Sequence, residues 1–106
     1  MIIRQALFEG RIHEGKETAF KAYVADELMP MWLEFPGVRE VRVLYAVERD
    51  EGAPAFPMVL STMYDSRDAL AEALDSPVRY ASRDTTKGLL AMFDGVIHHH
   101  VFELNP

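Results

Sequence analysis

The chain contains no cysteine, which excludes disulfides, thiolate nucleophiles and cysteine-ligated metals and leaves histidine, carboxylate, tyrosine and arginine to do any chemistry. No apolar run approaches the roughly 18 residues needed to cross a bilayer. Met1-Ile2-Ile3-Arg4 has neither the basic head nor the apolar core of a secretory signal. The expectation is a cytoplasmic protein without a membrane partner. Cations are also scarce: 11 Lys and Arg stand against 17 Asp and Glu, a net charge of −6. Affinity for phosphate backbones comes mostly from clustered Lys and Arg, so nucleic acid is not an expected partner. Low-complexity tracts and long linkers are missing too, and 106 residues leave room for one core. A single domain over residues 1–106 follows.

Apolar residues are plentiful, at 49% of the chain. Residues Ile2 to Phe8 set Ile, Leu and Phe against Arg4 and Gln5 with the alternation of a strand. From Lys16 the period lengthens to three and four, through Phe20, Tyr23, Val24, Leu28, Met31, Trp32 and Phe35, and predicts an amphipathic helix. Pro30 removes a backbone donor and should kink that helix about a turn before Pro36-Gly37 ends it. Val38 to Glu48 reads as a second strand, residues 49 to 57 as a turn rich in Asp, Gly and Pro, and Met58 to Tyr64 as a third strand. Asp65 or Ser66 can cap a helix over Arg67 to Leu74, and Ser76-Pro77 starts another. Val78, Ala81, Thr85, Leu89, Met92 and Phe93 are its expected buried stripe. Gly95 should end it, with Val96 to Leu104 as the fourth strand.

The order β-α-β-β-α-β is the split arrangement of a ferredoxin-like α+β fold, a four-stranded antiparallel sheet with both helices on one face. The strands carry apolar residues on both sides, as in Ile2/Ile3, Val43/Leu44, Val59/Leu60 and Val96/Ile97. The uncovered face therefore calls for a second sheet, which a symmetric homodimer supplies.

Several residue groups bear on function. The segment Gly10 to Glu17 is close to a phosphate-binding loop, but Glu17 stands where a hydroxyl would hold magnesium and Glu14 would repel phosphate. The run His98-His99-His100 is the most distinctive feature, and strand alternation sends His98 and His100 one way and His99 the other. These imidazoles are candidate proton-transfer groups. A metal shared by His98 and His100 would need a third ligand, from His13 or Glu40, and a pair alone falls short of a coordination set. Tyr23, Trp32, Tyr45 and Tyr64 are candidates to line a pocket for a small hydrophobic or aromatic ligand, with core packing as the plainer reading. Arg79, Arg83 and Lys87 repeat every four residues and read as a solvated helix face balanced by Asp84. No hydrolase elbow or glycosidase carboxylate pair is present.

With the element order, Pro30 late in the first helix, the Pro36-Gly37-Val38 exit and the Phe93-Asp94-Gly95-Val96 entry to the last strand, the whole chain resembles the dimeric α+β barrel superfamily. It looks closest to the EthD-like and stress-responsive A/B-barrel groups, with the antibiotic-biosynthesis monooxygenases as a further relative. The resemblance implies two sheets closed into a barrel across a dimer and a cleft between sheet and helices for an aromatic or polyketide-like compound. It also implies activities that run from cofactor-independent oxygenation to none, so the expectation is a small-molecule-binding barrel that acts as a cofactor-independent monooxygenase, with a non-catalytic stress-response or binding module as the alternative and, from the histidine run, a His-ligated metalloprotein as a third. EthD-like isomerases commonly carry a His eight residues before the Pro of the exit, and here that position is Leu28.

Overall fold

The computed structural model describes residues 1–106 as β1 (Ile2–Ile12), α1 (Glu17–Tyr23), a π-helical segment (Val24–Leu28), α2 (Met29–Trp32), β2 (Glu40–Tyr45), β3 (Met58–Tyr64), α3 (Arg67–Leu74), α4 (Pro77–Leu90) and β4 (Phe93–Glu103). The strands form one antiparallel sheet in the order β2-β3-β1-β4, so the expected α+β, ferredoxin-like arrangement is the one found. No helix is long and apolar enough to cross a membrane.

Local chemistry accounts for most element ends. The Ser66 hydroxyl accepts the Ala69 N–H at 3.1 Å and caps α3, while the Ser76 hydroxyl accepts the Arg79 N–H at 3.4 Å and caps α4. Asp65 is not the cap. Its carboxylate instead receives two bonds from the Arg39 guanidinium, at 2.9 and 2.8 Å, and ties the start of β2 to the end of β3. The break in the first helix lies before Pro30, where the Met29 N–H bonds the Val24 carbonyl in a π-turn. One extra residue in that turn accommodates the donor that proline lacks, and Pro30 then sits in the first turn of α2.

Three boundaries differ from the sequence expectation. β1 continues to Ile12, β2 is confined to Glu40–Tyr45, and β4 begins at Phe93 rather than Val96. Gly95 therefore does not end a helix; it lies within β4 opposite Gly10 of β1. A Cβ on Gly10 would strike the Asp94 carbonyl oxygen, and one on Gly95 the Glu9 carbonyl oxygen. The two glycines let the long β1–β4 pair close at this point.

The helices cover one sheet face, where Phe8, Met58, Leu60 and Tyr64 from the strands meet Phe20, Leu28 and Leu89 from the helical layer. Leu28 is entirely buried, so the position of the isomerase His is a core position here. Tyr23 donates its hydroxyl to the Thr85 carbonyl at 2.8 Å, joining α1 to α4 across Gly88, where any Cβ would overlap the Tyr23 ring and hydroxyl. Of the expected α4 stripe, Leu89 and Phe93 are buried, Val78 and Met92 pack against the core and Thr85 is half-buried; Ala81 alone is exposed, and Ser82 is buried in its place. The opposite sheet face is open and mixed: Leu44, Val96 and Phe102 are about half exposed among Glu9, Arg42, His98 and His100.

Replacing Gly95 or Gly88 by Ala is expected to cost about 2–4 kcal/mol, through the backbone collision at the first and loss of the Tyr23 bridge at the second. Urea titration of each variant checks this, with Gly52→Ala as a control for a glycine that has a positive φ but open space around it.

Candidate functional site

Between the sheet and α4 lies a cavity of about 390 Å³, at the lower end of the range for small-molecule sites. Phe8, Leu60 and Ile97 form its apolar floor, and Trp32 and Phe35, both buried, close one side from the end of the first helical stretch. The π-turn followed by Pro30 brings Trp32 to this position, because it resets the helical phase one residue before α2 begins. Arg79, Ser82, Arg83 and Thr86 form the α4 wall, and Arg4 with Thr62 borders it from the sheet.

The three adjacent histidines separate. His99 pairs with Ala6 on the helix-facing side of the sheet and lines the cavity at its solvent-facing mouth. His98 and His100 pair with Leu7 and Gln5 on the open face. There His98 contacts Glu9 at 2.7 Å, and His100 stacks on Phe102 with ring centroids 5.9 Å apart. His13 is engaged with Asp94 at 3.0 Å and Glu40 with Arg42 at 2.7 Å, and no three His, Asp or Glu side chains are disposed to hold a metal ion.

The aromatic candidates separate as well. Only Trp32 lines this cavity. Tyr64 is buried in the core, where desolvation raises its pKa, and the Tyr23 hydroxyl is committed to Thr85. Tyr45 lies under the Lys21 ammonium, 4.6 Å from its ring centroid, beside a second cavity bounded by the 46–57 loop.

The arginines of the cavity did not stand out in the sequence. Arg83 and Lys87 are exposed as the expected solvated stripe requires, Lys87 pairing with Asp84 at 3.1 Å, but Arg79 is half-buried and both arginines border the pocket. An i, i+4 basic pair reads the same from sequence whether it faces water or a cleft. Arg4 did carry a signal, since it shares a strand face with Ile2, Ala6 and Phe8, and a charge on an apolar face is informative.

These charges act on one another. Burial lowers the Arg4 pKa, and the Arg79 charge lowers it further. His99 is held at about 4, by desolvation first and then by Arg4, Arg79 and His98. At neutral pH it is thus an uncharged imidazole facing two guanidinium groups. Its folded value lies below the ordinary 6.5, so the unfolded chain takes up the proton first. Stability from this group is complete above about 6.5, declines as pH falls to about 4 and changes no further below. A histidine NMR titration is expected to place His99 near 4, with Arg79→Gln moving it upward. His99→Gln is expected to flatten the stability slope between those pH values, as followed by urea unfolding.

No protein-family model and no curated protein sequence matches the chain. Solved structures do. An ethyl tert-butyl ether d (EthD) family protein from Bacillus halodurans superposes with TM-score 0.79 at 22% identity over 99% of both chains. SnoaB, a cofactor-independent oxygenase from Streptomyces nogalater, gives 0.66 at 19% identity over 99% of this chain and 93% of its own. A dimeric protein of ferredoxin-like fold from Bacteroides fragilis gives 0.66 at 13% identity over 97% and 95%. The resemblance to EthD-like and monooxygenase-type α+β barrel proteins is therefore one of fold along the whole chain.

Proposed function

We propose that this protein binds a small aromatic or polyketide-like compound in the cavity between sheet and α4, and that it oxygenates that compound without a cofactor. The observation that carries the reading is His99, an uncharged imidazole at the mouth of a cavity with an apolar floor closed by Trp32. A neutral imidazole accepts a proton from an acidic phenol, enol or activated methylene. The resulting carbanion passes electrons to dioxygen, one oxygen atom is retained as a carbonyl, and the other leaves as water with the two hydrogens of the methylene. Substrate and dioxygen balance this change without an external reductant. The cofactor-independent oxygenase with the same fold supports the reaction class.

His98 and His100 belong to the other half of the proposal, the homodimer. Leu44, Val96 and Phe102 are about half exposed on a sheet face that no helix covers, and a neighbour of the same fold is dimeric. Two copies stacked on this face would bury that surface and enclose the Glu9–His98 pairs between the sheets. Light scattering at micromolar concentration is expected to give twice the chain mass, and Val96→Asp/Phe102→Asp to give monomers. A monomeric wild-type chain would remove the dimer.

A second reading is favoured by the same histidine: an imidazole held near 4 is a weak base at neutral pH, which suits a non-catalytic binding module of the stress-responsive kind. Oxygen uptake with two anthrones, neutral dithranol and an anthrone carboxylic acid, separates the two readings. Catalysis is expected in the wild type, with a loss of about 10²–10⁴-fold in His99→Gln. Equal rates in both proteins would exclude His99 as the base, and uptake no faster than in buffer with either anthrone would leave the binding module.

A further inference from the structure

The cavity gathers charge of the sign opposite to that of the molecule as a whole. Of 11 Lys and Arg residues, three border this space, Arg4, Arg79 and Arg83, whereas none of the 17 carboxylates does. Elsewhere Arg11, Arg39, Arg42 and Lys87 each have a carboxylate partner, and Lys16, Lys21, Arg49 and Arg67 have none but lie outside the cavity. The three cavity arginines have none, in a chain with an excess of acids. The hydroxyl protons of the wall are already committed. The Ser82 hydroxyl donates to the Arg79 carbonyl at 2.8 Å, Thr86 to the Ser82 carbonyl at 2.7 Å, and Thr62 to the Arg4 carbonyl at 3.4 Å. Guanidinium N–H groups and the His99 ring are the donors the cavity has left to offer a ligand, beside an apolar floor and the lone pairs of the hydroxyls. Such a surface is rich in donors and positive charge and holds no carboxylate.

We infer that the ligand is an aromatic carboxylate, its ring system on Phe8, Leu60 and Trp32 and its ionised carboxyl group held by the arginines of β1 and α4. This rests on the cavity being the ligand site, as proposed above. The planar fork of a guanidinium matches a carboxylate through paired N–H bonds, and a partly desolvated setting strengthens each of them. A bound anion also supplies the counter-charge missing between Arg4 and Arg79, whose mutual repulsion lowers the pKa of Arg4. The same anion opposes two of the charges that hold His99 down, the remaining contributions being burial and the neighbouring His98. Binding of the carboxylate therefore raises the basicity of His99 toward the range in which an imidazole is an effective base at neutral pH.

Calorimetry with matched acids and amides, benzoate, 2-naphthoate and 2-anthracenecarboxylate against the corresponding carboxamides, tests the assignment. At least one acid is expected to bind roughly tenfold or more tightly than its amide, the difference carried by charge-assisted bonds. That preference should fall away in Arg79→Gln/Arg83→Gln while amide binding persists, which shows at once that the variant retains its fold. The His99 NMR titration should move upward in the complex of the wild-type protein. Equal affinity of acids and amides would overturn the carboxylate while leaving the cavity as a binding site. Failure of every acid and every amide to bind at millimolar concentration would remove the cavity reading, and this inference with it.

Discussion

Successive side chains of a β-strand point to opposite faces, and this two-residue alternation decides where each chemical group of the molecule lies. Three consecutive imidazoles on β4 cannot work together, because His99 is turned to the helices and its neighbours to the open face. By the same rule Arg4 enters the cavity between Ile3 and Gln5, which do not. A slip of one residue between β1 and β4 would exchange the two sets. The Gly10–Gly95 pairing opposes such a slip, since the close backbone approach there leaves no space for the side chain that any shifted register would bring in.

The helical layer turns that alternation into a site. α4 lies over the sheet with Ser82 and Leu89 buried and Arg79 and Arg83 toward the cavity. Its distance from α1 is set by a glycine: Gly88 leaves room for the Tyr23 ring, and the Tyr23 hydroxyl fastens the Thr85 carbonyl. At the other end, past the π-turn and Pro30, Trp32 and Phe35 remain in the core with Phe20, Val24 and Leu28 and also close one side of the cavity. The end of that buried series is thus where core and pocket meet.

Features written in local chemistry were legible from sequence. The four strands, the serine cap and proline of α4, the glycine exit at Gly37 and the overall order depend on neighbours a few residues apart, and so does the split of the histidines. Features that depend on distant partners were not. Gly95 follows a helical stretch and resembles a terminator, but its function comes from Gly10, which lies far away along the chain. Tyr23 and Tyr64 are chemically suited to bind a ligand, and only the packing shows that one is tied to Thr85 and the other enclosed by the core. Arg79 and Lys87 sit on the same helix at the same spacing, yet one meets a cavity without carboxylates and the other a carboxylate one turn away.

Gathering like charges beside an apolar wall has a consequence for any chemistry there. Desolvation weakens the charged form of a base, and nearby cations weaken it again, so an empty cavity of this kind keeps His99 neutral and poorly basic. A negative ligand reverses the second effect without altering the first. Thermodynamic linkage makes the relation mutual, because whatever raises proton affinity at His99 on binding must raise ligand affinity when His99 is protonated. In the proposed reaction the base would thereby be weak when the site is empty and strengthened when an anion arrives, which would confine strong proton abstraction to the occupied cavity. Alternation alone places His99 and Arg4 on one face, and α4 adds Arg79; the coupling follows from their proximity in a space that no carboxylate enters.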